Sequence, residues 1–272
     1  MGLRGGRIVE FTGAPGAGKS TVAAHCALLL EARGLRIPPR QAVRDLYLRH
    51  GWVGRLAGPQ VREREVAGQR LEYFKEVETP FLLWRFRARH RRGWRLFRAE
   101  LEGLRAADAE EAETLERWVE QSILTYMMLR SQARRMDLFL WEEGIAHRSV
   151  NLFADPERPL DPGRLDAFLR AWVFPDALVH VQAEPEDCLA RVAARGLPAR
   201  LQDRGPDAVR AFLERGAAVC RAIAAEARRR RIPTFDLENR HGSVEALAAS
   251  PACRTLADDL VRALRAGPRS AA

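Results

Sequence analysis

Gly13-Ala14-Pro15-Gly16-Ala17-Gly18-Lys19-Ser20 fits the pattern G-x-x-x-x-G-K-[ST], which is typical of phosphate-binding loops. The apolar run at 7–12 before it predicts a buried strand, and residues 21–33 after it predict a helix that ends at Gly34. In this order, the glycines let backbone amides curl around phosphate oxygens, and the start of the helix adds a partial positive charge. The stretch therefore predicts a nucleotide-binding loop between a strand and a helix.

The motif assigns a role to its polar side chains. Lys19 is expected to reach the outer phosphates of a nucleotide, and Ser20 is expected to hold Mg²⁺. The sequence contains only one other lysine, Lys75, among 45 basic residues, so composition alone does not explain a lysine here. The predicted nucleotide-binding residues are those of the loop and the start of the helix: Gly13, Ala14, Pro15, Gly16, Ala17, Gly18, Lys19, Ser20 and Thr21.

Composition bounds the class of protein. The chain has 272 residues and is 47% hydrophobic, which suits a single domain, 1–272, with an insertion. A net charge of +9 attracts phosphates, nucleic acid or anionic membrane surfaces without choosing among them. Four scattered cysteines predict buried thiols in a reducing compartment. Because neither a signal peptide nor a long apolar run is seen, the expected location is cytoplasmic.

The middle of the chain changes from strand to helix signals. Residues 35–37 could form a second strand, which Pro38 and Pro39 would cut short. The stretches 61–77, 81–105 and 115–136 then show amphipathic helical periodicity. We therefore predict an α-helical insertion over 45–135. The arginines between Arg85 and Arg98 either form a solvated face or offer a surface to anionic lipid or nucleic acid.

Two carboxylates follow the next predicted strand. The apolar run 136–141 ends at Glu142 and Glu143, and Arg148 comes within two turns of them. Because ligands bind at the carboxyl ends of strands in open α/β sheets, we expect these side chains in the site. Glu142 or Glu143 could hold Mg²⁺ or accept a proton from a hydroxyl, with Glu142 joining Ser20 as a metal-binding residue. Arg148 could orient an acceptor or the γ-phosphate.

Further site residues follow the later strands. A buried strand is predicted at 177–182, and the helix after it carries Arg191 and Arg195. Arginines in this position can close over a triphosphate and neutralise the charge that is transferred. The last strand, predicted at 232–237, is followed by Asn239.

These features together resemble the P-loop kinase group of nucleoside and nucleoside-monophosphate kinases, which includes thymidylate kinase. The matching segments are GAPGAGKST at 13–21, LWEEG at 140–144 with Arg148, PDALVHV at 175–181, ARVAARG at 190–196 and IPTFDLEN at 232–239. The resemblance implies a P-loop NTPase fold of class α/β, with a mostly parallel sheet flanked by helices. It also implies ATP and Mg²⁺ as cofactors, Arg191 and Arg195 as a lid, and Asn239 on the adenine side. The Asp-Arg motif of thymidylate kinases is missing, and Glu142-Glu143-Gly144 stands in its place.

Three functions stay open at the level of sequence. The first is a kinase that transfers phosphate from ATP to a small acceptor such as a nucleoside, a nucleotide or a sugar. The second is a P-loop ATPase that acts as a nucleotide-driven switch on a protein partner. The third is an ATP-using protein of a nucleic-acid or anionic membrane surface, which would rely on the arginines between Arg85 and Arg98.

Overall fold

A four-stranded parallel sheet forms the centre of the computed structural model, which describes residues 6–39, 42–43, 47, 79–132, 135–155, 157–197, 201–202, 204–240, 246–247 and 250–265. Across the sheet the strands are ordered β2-β1-β3-β4, and each neighbouring pair is parallel. All four carboxyl ends therefore meet at one edge. The strands are β1 (Arg7–Thr12), β2 (Leu138–Glu142), β3 (Ala177–Gln182) and β4 (Thr234–Glu238).

Helices cover both faces of this sheet, so the predicted α/β class is confirmed. The helices named here are α1 (Lys19–Glu31), α2 (Thr79–Arg89), α3 (Arg91–Arg105), α4 (Ala109–Ser131), α5 (Arg148–Phe153), α6 (Pro162–Ala171), α7 (Pro185–Arg195), α8 (Pro206–Arg229) and α9 (Pro251–Arg265).

The central strand β1 is buried from Ile8 to Thr12, as expected for a parallel strand that is covered on both faces. Side chains alternate along a strand, so Phe11 faces one side of the sheet and Thr12 the other. Helix α8 covers the Thr12 side, because Thr12 Oγ1 lies 3.4 Å from Cys220 Sγ of α8. Helix α1 packs on β1, β2 and α9.

The helical insertion packs onto the rest of the protein through aromatic side chains. Phe86 of α2 and Phe97 of α3 both contact Trp172, which follows α6. The predicted continuous stretch 81–105 is wrong in one respect, because the helix breaks at His90. The break accompanies a close approach of Gly93 to α6, where an added Cβ would lie 2.6 Å from the Ala171 carbonyl oxygen. The predicted helix at 61–77 lies outside the described residues, so the bounds 45–135 stay a prediction.

The segment 35–37 is not a strand. It does lie beside the sheet, since the Asp137 backbone amide donates to the Arg36 carbonyl at 3.1 Å. The Asp137 carboxylate accepts from the Arg36 amide in return, at 3.0 Å. Pro38 and Pro39 carry no amide hydrogen, so the pairing cannot extend into a ladder.

Two smaller predictions concern cysteines and membranes. Cys26, Cys188, Cys220 and Cys253 are all free and buried, as predicted. Within the described part of the chain, no helix combines the length and apolar character that a membrane span requires.

Candidate phosphate-binding site

The glycine-rich loop leaves β1 and enters α1 through two left-handed residues. Gly16 has φ of 83° and Gly18 has φ of 87°, a region that side chains rarely adopt. A Cβ at Gly16 would also clash with the Cys188 backbone of α7, and one at Gly18 would clash with Asn239 Nδ2. The N-terminus of α1 has no side-chain cap and no acidic residue in its first turn. Its amides and dipole are therefore suited to an external anion.

Lys19 folds back over this loop. Its Nζ donates to the carbonyl oxygens of Gly13 and Ala14 at 3.1 and 3.2 Å, and the side chain is only 6% exposed. Glu143 Oε1 lies 3.4 Å from the same Nζ. The ammonium group of Lys19 thus lies beside the loop, within reach of the place where phosphates would bind.

Two further side chains hold the loop from outside. Asn239, directly after β4, donates from Nδ2 to the Ala17 carbonyl at 2.9 Å, and its backbone amide donates to Gln182 at 2.7 Å. Arg191 of α7 donates to the Gly16 carbonyl at 3.2 Å. The structure therefore brings Asn239 and Arg191 to the loop, where both contact backbone oxygens.

Glu143 occupies a special backbone position immediately after β2. Its φ is 50°, which is uncommon for a residue with a side chain, and its amide donates to the Phe11 carbonyl at 3.3 Å. Backbone strain of this kind often marks a functional residue. Here it turns the carboxylate toward Lys19.

The charges around Glu143 keep it ionised. Burial opposes ionisation, but His147, Lys19 and Arg148 together outweigh it and lower the pKa of Glu143 to about 2. Burial, followed by the charge of Lys19, lowers the pKa of His147 to about 3. His147 is therefore neutral near pH 7, and the positive charges that act on Glu143 there are those of Lys19 and Arg148.

A buried polar layer lies beneath these residues. The Glu10 carboxylate accepts from the His147 amide at 2.6 Å and from the Ala146 amide at 3.2 Å. His147 Nδ1 lies 2.9 Å from Thr12 Oγ1, which also reaches Cys220. Burial raises the pKa of Glu10 to about 7, although its backbone hydrogen bonds work against this shift.

The predicted metal-binding residues come from the helix after the loop and from the end of the neighbouring strand. Ser20 is exposed in the first turn of α1. Glu142 is half-buried and pairs in register with Phe11, so it faces the side of the sheet opposite Thr12. Among the described residues, no three His, Cys, Asp or Glu side chains are grouped closely enough to hold a metal ion alone. An Mg²⁺ ion would need phosphate oxygens as further ligands, as is usual for this cation.

The two remaining predicted arginines are Arg148 and Arg195. The charge of Arg148 acts on Glu143, and its Nε donates to Ser122 Oγ of α4 at 2.9 Å, which ties the start of α5 to the insertion. Arg195 is exposed in the last turn of α7, and within the described residues no contact joins it to the loop. The structure thus groups Lys19, Glu143 and Arg191 and leaves Arg195 at the rim.

Sequence reasoning missed the buried layer. Glu10 carried a signal, because an acid inside an apolar strand is costly unless its carboxylate is hydrogen-bonded. Thr12 and Cys220 carried none, since a threonine at a strand end and a cysteine in an amphipathic helix are ordinary core residues.

One cavity lies away from the loop, between α3 and the segment 152–164. It is lined by Glu100, Leu152, Phe153, Asp155, Arg158, Pro159, Asp161 and Arg164. Its volume of about 30 Å³ has room for little more than a water molecule, so it cannot hold a nucleoside or a sugar.

Comparisons with known proteins give structural similarity only. No protein-family model matches the chain, and no curated protein matches it significantly. A deoxyadenosine kinase from M. mycoides aligns with 11% identity and a TM-score of 0.41, over 94% of this chain and 99% of its own.

Two other solved structures are similar to a comparable degree. TT1252 from Thermus thermophilus aligns with 23% identity and a TM-score of 0.37, over 95% of this chain and 98% of its own. Shikimate kinase from Acinetobacter baumannii aligns with 16% identity and a TM-score of 0.35, over 97% of this chain and 96% of its own. Two of the three are small-molecule kinases by name. Because every TM-score lies below 0.5, these similarities carry no argument about function.

Proposed function

We propose that this protein is a P-loop kinase that transfers the γ-phosphoryl group of ATP to a hydroxyl of a small-molecule acceptor. The observation that carries the proposal is the pair formed by Lys19 and Glu143, which are 3.4 Å apart at the mouth of the glycine-rich loop. A lysine from the loop and a carboxylate from the neighbouring strand supply the two charges that such a transfer needs.

The loop would bind the triphosphate through backbone amides and the positive end of α1. Lys19 would leave Glu143 for the β- and γ-phosphate oxygens and neutralise the charge that develops on the transferred group. Arg191 and Asn239 would keep the loop in shape from outside. Arg195 would belong to the lid and approach only when the lid closes over the phosphates.

Glu143 would act on the acceptor. The charges around it favour its ionised form, so it would accept a hydrogen bond from the acceptor hydroxyl and align the attacking oxygen. A carboxylate with a pKa of about 2 is a weak base, and this favours alignment over early removal of the proton. A negative group at this point also disfavours a phosphorylated acceptor unless cations of the lid compensate for it.

Ser20 would hold Mg²⁺, with Glu142 as the nearby carboxylate and the phosphates as the remaining ligands. The exposed position of Ser20 after Lys19 fits this role. The ion, when bound, supplies further neutralisation of the phosphate charge.

The test is an acceptor screen with ATP and Mg²⁺, in which phosphorylated product is detected directly by mass spectrometry. The panel covers nucleosides, nucleoside monophosphates, sugars and aminoglycosides. Lys19→Ala should lower turnover by about 10³-fold or more, since its charge is needed in the transition state. Lys75→Ala, which removes the only other lysine, is the matched control and should retain activity.

Two results would contradict the proposal. Full turnover by Lys19→Ala would exclude the mechanism. Hydrolysis of ATP that no acceptor stimulates, but that a protein or a polymer does, would favour the nucleotide-driven switch instead.

A further inference from the structure

His147 lies below Glu143 in a fixed orientation. Its side chain is 3% exposed, and its backbone amide donates to Glu10 Oε1 at 2.6 Å. The ring is held on its other side by Thr12, which lies 2.9 Å from Nδ1. A ring that is fixed at both the backbone and Nδ1 has little freedom to turn, so the direction of Nε2 is set by the fold.

Thr12 decides which ring nitrogen carries the proton. Its hydroxyl has one hydrogen and two neighbours that can accept it, His147 Nδ1 at 2.9 Å and Cys220 Sγ at 3.4 Å. Nitrogen is the stronger acceptor and lies closer, whereas sulfur accepts weakly. With Thr12 donating to Nδ1, the neutral ring carries its hydrogen on Nε2.

Nε2 faces the carboxylate at the mouth of the site. It lies 3.9 Å from Glu143 Oε1, which is too long for a hydrogen bond while Lys19 holds the same oxygen at 3.4 Å. The opposite tautomer would turn a bare lone pair toward an anion, which is unfavourable. The arrangement is thus a donor placed behind a carboxylate whose present partner is a mobile lysine.

We propose that His147 is a positioning residue, which takes hold of Glu143 through Nε2–H when Lys19 moves to the triphosphate. This inference rests on the proposed function. Closing the gap requires a shift of about 1 Å by a carboxylate that is half-exposed, and hydrogen bonds in active sites commonly tighten when substrates bind. A neutral donor suits the task, because it fixes the carboxylate without competing with Lys19 for the phosphates.

A pair of substitutions separates the two ring nitrogens. His147→Gln places an amide near Nε2 and can still donate to Glu143, whereas His147→Asn places one near Nδ1 and can bond only to Thr12. We expect His147→Asn to lower kcat by about 10- to 100-fold, the usual effect of removing a group that orients a reacting one. The KM for ATP should change little, and His147→Gln should restore much of the lost kcat.

Thr12 supplies a second, milder pair. Thr12→Val keeps the shape of the side chain but removes the hydroxyl, so it should lower kcat in the same direction as His147→Asn. Thr12→Ser keeps the hydroxyl and is the matched control. Calorimetric binding of ATP and thermal melting show whether each variant is folded. If His147→Asn does not fold, the Thr12 pair tests the role of His147 instead.

The tautomer can be read without activity. Long-range ¹H–¹⁵N NMR of the six histidines should show the Nε2–H tautomer for His147. The signal of His147 is assigned as the one that disappears in His147→Gln. In Thr12→Val, His147 should no longer be held in this single tautomer. An Nδ1–H tautomer, or equal kcat in the Asn and Gln variants, would overturn the role of His147 alone. Absence of turnover by the wild-type protein with every acceptor would instead overturn the kinase function itself.

Discussion

Charged side chains are organised in opposite ways around the phosphate-binding loop and in the helical insertion α2–α4. At the loop, Lys19 and His147 are buried and Glu143 is half-exposed between them, and the pKa values of Glu143 and His147 are strongly shifted. In the insertion, Arg98 and Arg105 share Glu116 on the protein surface. The loop and the insertion thus contain the same kinds of charged groups, but the charges act strongly at the loop and are screened by water in the insertion.

This difference shows why the large number of arginines says little about function. Water and salt weaken charges that are exposed, whereas a desolvated charge changes the protonation of its neighbours. Arginines of α2 and α3 hold α4 in place, since Arg87 bonds Glu120 at 2.7 Å and Arg105 bonds Glu116 at 2.8 Å. Binding of anionic lipid or nucleic acid by the other arginines between Arg85 and Arg98 stays a prediction.

Glu143 should give the largest effect. Glu143→Gln removes the charge but keeps the shape, and we expect kcat to fall by about 10²- to 10³-fold because the acceptor hydroxyl loses its aligned anion. ATP affinity, measured by calorimetry, should be kept or improved, since Lys19 no longer has to leave a carboxylate. Glu142→Gln is the matched control and should cost less, and an equal loss in both variants would contradict the assignment to Glu143.

Gly144 tests how tightly the floor of the site is packed. A Cβ at this position would lie 2.6 Å from Glu10 Cδ and 2.8 Å from Trp141 Cδ2. Gly144→Ala should therefore lower the free energy of unfolding by about 1–3 kcal/mol, the usual cost of overpacking a buried site. Chemical denaturation measures this cost, with Gly205→Ala as the control, since no atom of the described residues lies within 4 Å of a Cβ there. An unchanged midpoint for Gly144→Ala would mean that the floor can yield.

The sequence predicted the helices and strands that local patterns encode, but few of the contacts between residues that are distant in the chain. The strand, loop and helix around Lys19 follow from glycine spacing and apolar runs, and the acidic end of β2 follows from the rule on strand ends. The choice between Glu142 and Glu143 could not be made, because it depends on a left-handed turn at Glu143. The contact of Thr12 with His147 spans 135 residues, and no periodicity reports a contact at that range.

Glu10 should make stability depend on pH in a particular direction. Burial raises its pKa from 4.5 to about 7, so its contribution to stability is present below pH 4.5 and is lost as the pH rises through 7. Glu10→Gln removes this loss, so its stability relative to the wild type should improve between pH 4.5 and 7. The improvement should be on the order of 1–2 kcal/mol, less than the full pKa shift implies because the surroundings relax.

His147 acts in the opposite sense and must be considered with Glu10. Its folded pKa of about 3 lies below the ordinary 6.5, so stability falls as the pH drops below 6.5. In the wild type the two slopes partly cancel between pH 4.5 and 6.5, and Glu10→Gln should expose the slope of His147. Urea titrations at several pH values measure both, with the exposed Glu238→Gln as control, and parallel curves for Glu10→Gln and wild type would contradict the prediction.

The smallest effect is expected in the insertion. Glu116→Gln removes the partner that Arg98 and Arg105 share, but Arg98 and Arg105 are more than one-third exposed and both also contact Glu102 at 2.8 Å. The free energy of unfolding should fall by less than about 1 kcal/mol, as is usual for surface ion pairs, and kcat should stay unchanged. Glu113→Gln, which removes the partner of Arg117 at 3.6 Å, serves as the matched control. If Glu116→Gln instead lowered kcat as much as Glu143→Gln, the charges of the insertion would belong to the site, and the contrast between the two regions would fail.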